Sequence, residues 1–411
     1  MSKQFSDLSL KLTKKILSAN EKKNNGIYFT PLDIIKLTMT NININNNEIK
    51  KILEPSCGSC EFINYIDSIY NNTEITGIEY NETIFNSIKD IKKQNNSLNL
   101  FNEDYLNFDI DNKNLYDLIV GNPPYYVISD KDMNKNQIKK YKEYYDGRTN
   151  IFILFIIHSL KKLDVNGILA FVLPSNFLNC QYYNKLRIYI YNNYKIIDII
   201  DCSNYSYIET TQDTIIFIIK NNNDIRLNTN YAININNSII FNTIDNIIKI
   251  NELYLNSTTL HQMNFEVNVG KIVWNQYKNI LTDDKNKTRL IYSSDIYNNN
   301  LIEVKYKNEE KKNYIDKDGN DNLLLVVNRG YGKGEYKFNY CLIDINEKYL
   351  IENHLICIKY KNQIEKEELK KLYEIIIKSF EDERTKNFIK IYFGNNAINT
   401  TELQYYLPIY V

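Results

Sequence analysis

The chain has 411 residues, 43% hydrophobic and 24% charged, a composition that suits two globular domains rather than a disordered or fibrous chain. Lys+Arg 50 against Asp+Glu 50 leaves a net charge of +0, so no global field favours nucleic acid and any such contact must rest on local patches. No apolar run reaches membrane-spanning length and the first residues lack a signal-peptide layout; the expectation is an intracellular, cytoplasmic protein with no membrane partner.

In chain order, residues 1–20 carry leucines and isoleucines at helical spacing, and 26–40 read as a turn and a helix with Thr30 as N-cap and Pro31 as first helical residue. An alternation follows. Strands are predicted over 51–54, 74–79, 98–101, 117–121 and 167–173, and helices over 61–70, 82–93, 150–163 and 182–193. Two further strands, 195–201 and 214–220, have no helix between them, which allows an antiparallel pair. Strands alternating with helices predict a doubly wound α/β sheet of Rossmann-like type.

An Asn-rich stretch over 221–250 marks the junction, giving a first domain over 1–235 and a mixed α+β second domain over 236–411. Asn, Ile, Lys and Tyr are overused, Tyr alone occurring 35 times. These residues have AT-rich codons, so Asn-rich loops carry little information. Of the 6 cysteines, Cys57 and Cys60 form the only CxxC; with no second pair to complete a zinc site, they read as reduced thiols and no metal is expected.

The segment with the most chemistry is Asp117–Tyr125, an apolar strand running into Asn122, Pro123, Pro124 and Tyr125. The lone pair of an exocyclic amine on a base is delocalised into the ring and is a poor nucleophile. The Asn122 side-chain carbonyl and the Pro123 main-chain carbonyl could accept both amino hydrogens and localise that lone pair. The two prolines stiffen the loop. Tyr125 offers a face for an extruded base, a task that needs the ring and not the hydroxyl. The plainer alternative is a strand ended by a Pro-Pro turn.

Between the first strand and its helix lie Glu54, Pro55, Ser56, Cys57 and Gly58, at the sheet edge where ligands bind in such folds. A phosphate loop would have more glycine and a lysine. An acidic loop instead suits a cationic ligand, and S-adenosylmethionine carries a sulfonium and an ammonium. An acid about 20 residues beyond the loop typically takes ribose hydroxyls, and Glu79 falls at that spacing. Asp104, followed by Tyr105, closes the third strand, where a carboxylate could accept from the cofactor's adenine amino group. Each acid alone also reads as a solvated strand-end charge.

This order of motifs resembles the gamma class of adenine amino-methyltransferases, the TaqI-type DNA methyltransferases, over roughly residues 20–220. Gly26-Ile27-Tyr28-Phe29-Thr30-Pro31 is similar to the motif that this class places before the Glu-Pro loop; Asn150-Ile151-Phe152 and 167–174 resemble its later motifs. The resemblance implies transfer of a methyl group from S-adenosylmethionine to the N6 amino group of a flipped adenine in double-stranded DNA. It also implies that Phe29 and Thr30 contact the methionine end, that Tyr207 is the second stacking aromatic, and that the second domain recognises the target. Such enzymes form the modification arm of restriction-modification systems, so a cognate restriction endonuclease is an implied partner. Cys60 departs from the class, which usually has glycine there, and implies an altered loop backbone. The composition looks like methyltransferases of large DNA viruses or AT-rich bacteria, which adds a viral replication compartment to the expected locations.

RNA amino-methyltransferases and protein glutamine N-methyltransferases share the Asn-Pro-Pro-Tyr loop and are the alternatives. The Phe29-Thr30-Pro31 motif and the long segment after the sheet argue against the glutamine enzymes; net charge does not separate DNA from RNA. In the second domain, Arg329 and Lys333 lie in a Gly-rich segment, 328–337, whose amides and cations suit phosphates. A solvated hairpin is the other reading.

Overall fold

In the computed structural model, which describes residues 4–42, 49–108, 114–210, 212–222, 224–329, 338–393 and 398–411, the apolar runs of the first half become strands of one sheet. These are β1 (Lys51–Glu54), β2 (Glu74–Ile78), β3 (Ser97–Phe101), β4 (Tyr116–Gly121), β5 (Leu163–Pro174), β6 (Lys195–Asp201) and β7 (Thr214–Lys220). Their order is β3-β2-β1-β4-β5-β7-β6. Strands β1 to β5 are parallel. β7 inserts antiparallel between β5 and β6, so the helix-free connection after β6 does make an antiparallel pair. The reversal of strand order between β1 and β4 leaves a crevice beyond their carboxyl ends, where ligands settle in such sheets.

Both faces of the central strands are covered, which explains why β4, β5 and β7 are near-continuous apolar runs, whereas the edge strand β3 alternates and is partly exposed. Ile119, Leu169, Phe171 and Leu173 join one core layer, while Leu118, Val120, Ala170 and Val172 join the other. The second layer holds α3 (Leu32–Asn41) and α4 (Glu61–Ile69); the first holds α7 (Ile151–Leu160) and α8 (Asn184–Asn193). Every residue of α7 is buried, so this helix has no polar face.

Several boundaries differ from the sequence reading. The single helix expected over 1–20 is α1 (Asp7–Lys11), a π-helical turn Leu12–Ile16, and α2 (Ala19–Asn25) capped afresh by Ser18. Pro31, not Thr30, is the N-cap of α3: its ψ of 143° is extended, so the helix begins one residue later. α5 (Glu82–Ile88) stops short of 93. After β4 the chain forms a short ribbon, Val127–Ile128 with Thr149–Asn150, enclosing α6 (Lys135–Tyr141).

The chain divides into units Met1–Ile247 and Ile248–Val411. The first extends beyond 235 because the hairpin Ala232–Ile235 with Ser238–Phe241 packs on the sheet: Phe241 stacks on Phe217 at 5.7 Å. Fully buried Arg187 of α8 donates to the carbonyls of Ile239, Phe177, Cys180 and Asn179, tying the hairpin to the turn after β5. The second unit is mixed α+β. It has an antiparallel four-stranded sheet of Phe265–Val269, Leu355–Tyr360, Leu324–Asn328 and Tyr340–Ile343, a smaller four-stranded sheet, and helices Lys366–Glu381, Glu383–Tyr392 and Thr400–Tyr405. Among the described residues no helix is long and apolar enough to cross a membrane, and no group of three or more His, Cys, Asp or Glu could hold a metal ion.

Candidate active site

The carboxyl ends of β1, β2, β3 and β4 bring the sequence motifs to one edge of the sheet. β1 ends on Glu54, and the loop after it is pinned by the main chain: Cys57 N–H donates to Ile78 O at 2.8 Å and Gly58 N–H to Glu79 Oε2 at 2.9 Å. Gly58 has φ +49°, a left-handed conformation in which glycine carries no Cβ strain. Cys60 adopts the same region, φ 63° and ψ 32°, at a cost of roughly 1–2 kcal/mol for a residue with a Cβ. Cys60 is fully buried, its N–H donating to Cys57 O at 2.7 Å, and the turn into α4 has the conformation that glycine would favour.

Glu54 is 2% exposed, and its Oε2 has no hydrogen-bond partner. Burial pushes its carboxyl well above the ordinary range, helped by Cys60 and opposed by the Ile63 N–H. Without a ligand this burial favours the neutral acid; a cation seated at the unpartnered oxygen would offset it and favour the carboxylate. Glu79, 8% exposed, is pushed up to about 7 by desolvation, against hydrogen bonds from the amides of Asn81, Gly58 and Tyr80. Gly58 N–H is on Oε2 and Asn81 N–H on Oε1, and with the Tyr80 amide that makes three donors for about four lone pairs, so one acceptor site remains for a ribose hydroxyl. These two acceptors have the chemistry that S-adenosylmethionine would need, an acid for a positive end and a free lone pair for a ribose hydroxyl.

Asp104 has a second task. It caps the 3₁₀ turn Tyr105–Asn107, accepting from Leu106 N–H at 3.0 Å and from Asn107 Nδ2 at 2.9 Å. Burial raises its carboxyl, and the Leu106 amide restrains that rise. Tyr105 is a correction to the expected cofactor set. Its side chain is buried in the core, its hydroxyl 2.8 Å from Ser159 Oγ and its ring edge-on to His158, so only its main chain remains for a ligand.

The Asn122–Tyr125 segment follows β4. Ser56 Oγ donates to Asn122 O at 3.2 Å, joining the two loops. Asn122 Nδ2 donates to Tyr28 O at 3.2 Å, and Asn122 Oδ1 accepts from the Tyr125 hydroxyl. That hydroxyl also lies 2.7 Å from Val172 O on β5. The Gly26–Pro31 segment lies directly over this loop. Gly26, with φ +62°, approaches so closely that a Cβ there would sit 2.7 Å from Tyr125 N and 3.2 Å from Pro124 Cβ. Phe29 and Thr30 are buried, with the Phe29 ring against Gly58. Pro55 and Glu54 flank Gly121, the residue before Asn122.

Tyr125 is half-buried and edge-on to Phe152, with ring centroids 6.0 Å apart. Burial, with a smaller contribution from nearby Tyr207, pushes the Tyr125 hydroxyl well up; Tyr207 is itself packed into the core with its hydroxyl 3.3 Å from Thr214 Oγ1. Two aromatics went unread in the sequence. Tyr80, next to Glu79, is 71% exposed, and Tyr126 is pushed up to about 12 by burial and by its neighbours Asp104 and Tyr80. In so Tyr-rich a chain, only adjacency to Glu79 and to Tyr125 could have singled them out.

In the second unit, Arg329 is exposed at the end of strand Leu324–Asn328, its N–H donating to His354 O at 3.1 Å. Lys333 lies outside the described residues.

The Eco57I restriction-modification methylase family matches residues 1–208. The type II methyltransferase M.CvrRI of Paramecium bursaria Chlorella virus XZ-6E is 26% identical over 404 residues, 97% of each chain. The modification methylase CviBIII of Paramecium bursaria Chlorella virus NC1A is 25% identical over 394 residues, 94% of each. The type II methyltransferase M.AccI of Acinetobacter calcoaceticus is 34% identical over 180 residues, 43% of this chain and 33% of its own length.

Proposed function

From the premise that the chain belongs to the Eco57I restriction-modification methylase family, and so is a site-specific DNA methyltransferase using S-adenosylmethionine, we propose that its target is the N6 amino group of adenine. The observation that carries this reading is the Asn122 carboxamide, held at the end of β4 between Tyr28 O and the Tyr125 hydroxyl, one residue from the Glu54 wall.

The cofactor supplies an electrophilic methyl on sulfur. The chain's own residues do the rest. Glu54 and Glu79 hold the cationic and ribose ends, Phe29 and Gly58 pack beside them, and Pro55, Ser56 and Cys57 shape the loop. The target adenine leaves the duplex at a cost of a few kcal/mol, and stacking on Tyr125 returns about 1–3 kcal/mol. Asn122 Oδ1 and Pro123 O accept the two amino hydrogens and draw the lone pair toward the methyl, while Pro124 keeps the loop rigid. Catalysis is then positioning and electrostatics. No strong base is needed, because the methylated ammonium is acidic enough to lose its proton unaided.

Tyr207 serves as the second stacking group once a base opens the space beside Tyr125. Arg329 and Lys333 contact DNA phosphates from the second unit, which reads the target sequence. A cognate restriction endonuclease cutting the same sequence is the implied partner.

The test is incubation with methyl-labelled S-adenosylmethionine and duplex DNA, RNA or protein, followed by digestion. N6-methyladenine from duplex DNA is expected. Label in N4-methylcytosine, in RNA or in glutamine would overturn the target assignment.

A further inference from the structure

Stacking uses the ring of Tyr125 and leaves its hydroxyl idle. The structure gives its single proton two acceptors to share, Val172 O at 2.7 Å and Asn122 Oδ1. On the other side of the carboxamide, Nδ2 donates to Tyr28 O at 3.2 Å. The amide is therefore gripped at both ends, and the two grips do different things. The Tyr28 carbonyl decides which way the amide faces, since a flipped amide would set oxygen against oxygen. The phenol decides where Oδ1 sits, because it is the donor that stops the carboxamide turning about its last side-chain bond. Terminal amide torsions are broad, so without such a donor the acceptor wanders. One lone pair of Oδ1 takes the phenol, and the second remains for a target amine.

We propose that the Tyr125 hydroxyl is a positioning group for the transfer step, fixing Asn122 Oδ1 at the point where the target amine must donate; this rests on the role given to Asn122 above. The phenol's single proton is shared between Oδ1 and Val172 O, a bifurcated donation that refers the acceptor to β5 as well as to its own loop. The amine–Oδ1 contact strengthens as the nitrogen gains positive charge. A displaced acceptor therefore harms the transition state more than the bound ground state.

The experiment compares Tyr125→Phe and Tyr125→Trp with the unaltered protein and with Asn122→Ala. It measures kcat and KM for DNA, cofactor affinity, and the fluorescence of 2-aminopurine placed at the mapped target position of a duplex. Both rings still stack, so the fluorescence rise, KM and cofactor affinity should stay within about twofold. Losing one oriented hydrogen bond should lower kcat about tenfold in each variant. Wild-type kcat in Tyr125→Phe overturns the proposal. So does a fall in kcat accompanied by loss of the fluorescence signal, which would place the defect in seating the base. If Asn122→Ala is inactive while Tyr125→Phe is normal, only the hydroxyl's role falls. If Asn122→Ala also turns over normally, the reading of the catalytic loop falls with it.

Discussion

The amide of Gly58 donates to the carboxylate of Glu79 at 2.9 Å, so the acid that closes β2 also holds the loop that closes β1. One side chain thereby shapes the cofactor loop and presents an acceptor beside it. Replacing Glu79 with Ala should weaken S-adenosylmethionine binding by roughly 1.5–3 kcal/mol, the range for a hydrogen bond to a charged group. Asp104→Ala should also weaken it, and because that change removes the cap on Tyr105–Asn107 as well, it should in addition lower the melting temperature. Titration calorimetry showing unchanged affinity in both variants would leave these acids with structural roles only.

The same burial makes cofactor-free stability depend on pH. Glu79 is raised from 4.5 to about 7, so the folded state binds more protons than the unfolded state between those values. With the unfolded state less protonated, stability falls as pH rises through that window, by on the order of 3 kcal/mol in full. Glu79→Gln should remove this part of the slope. Its melting temperature should exceed that of the unaltered protein at pH 8, with the gap closing toward pH 4.5. Parallel pH profiles for the two proteins would refute this.

Arg187 makes a different kind of prediction. Its guanidinium is buried on carbonyl oxygens from the turn after β5 and from the hairpin. Arg187→Met would leave those acceptors without donors, each costing about 1–3 kcal/mol if it stays buried. Urea denaturation should show a loss of roughly 3–5 kcal/mol, with Arg187→Lys recovering little because an ammonium lacks the planar fork. A loss below 1 kcal/mol would mean that water takes over the carbonyls.

For the second unit, Arg329→Ala should weaken duplex binding while S-adenosylmethionine affinity stays constant. A lost phosphate contact lowers the salt slope by about one unit, whereas a lost base contact relaxes specificity at one position. Unaltered binding and site preference would remove Arg329 from the interface.

Much of the first unit was legible because its strands are buried on both faces, and their apolar runs stand out against Asn-rich loops. The strand-end acids and Asn122 could be placed because each ends such a run. What stayed hidden depended on packing. The existence of α7 is legible from its length and its place between two strands, but nothing in the sequence shows that it has no polar face and is buried all round. The break after Ile16 leaves no mark, since Leu12 and Leu17 are both apolar and both buried. Tyr105 follows a predicted ligand and was read with it, yet a turn capped by Asp104 sends its ring into the core. The hydroxyl of Tyr125 was passed over because only the folded loop turns it back onto Asn122 Oδ1 and the Val172 carbonyl.

The contact of Gly26 with the Tyr125 amide means that the helices before it are part of the floor on which the reaction runs. They are tethered there by Lys22, which reaches Glu209 and Thr13 O at 2.7 Å, and by Ser6 and Ser9, which converge on Glu61. A protease that nicks the chain within 17–25, releasing the first helix and slackening the second, would leave every cofactor and catalytic motif uncut. The remaining polypeptide would still lose activity, so proteolytic ageing of a preparation should register as vanishing turnover while the mass of its catalytic fragment changes only slightly.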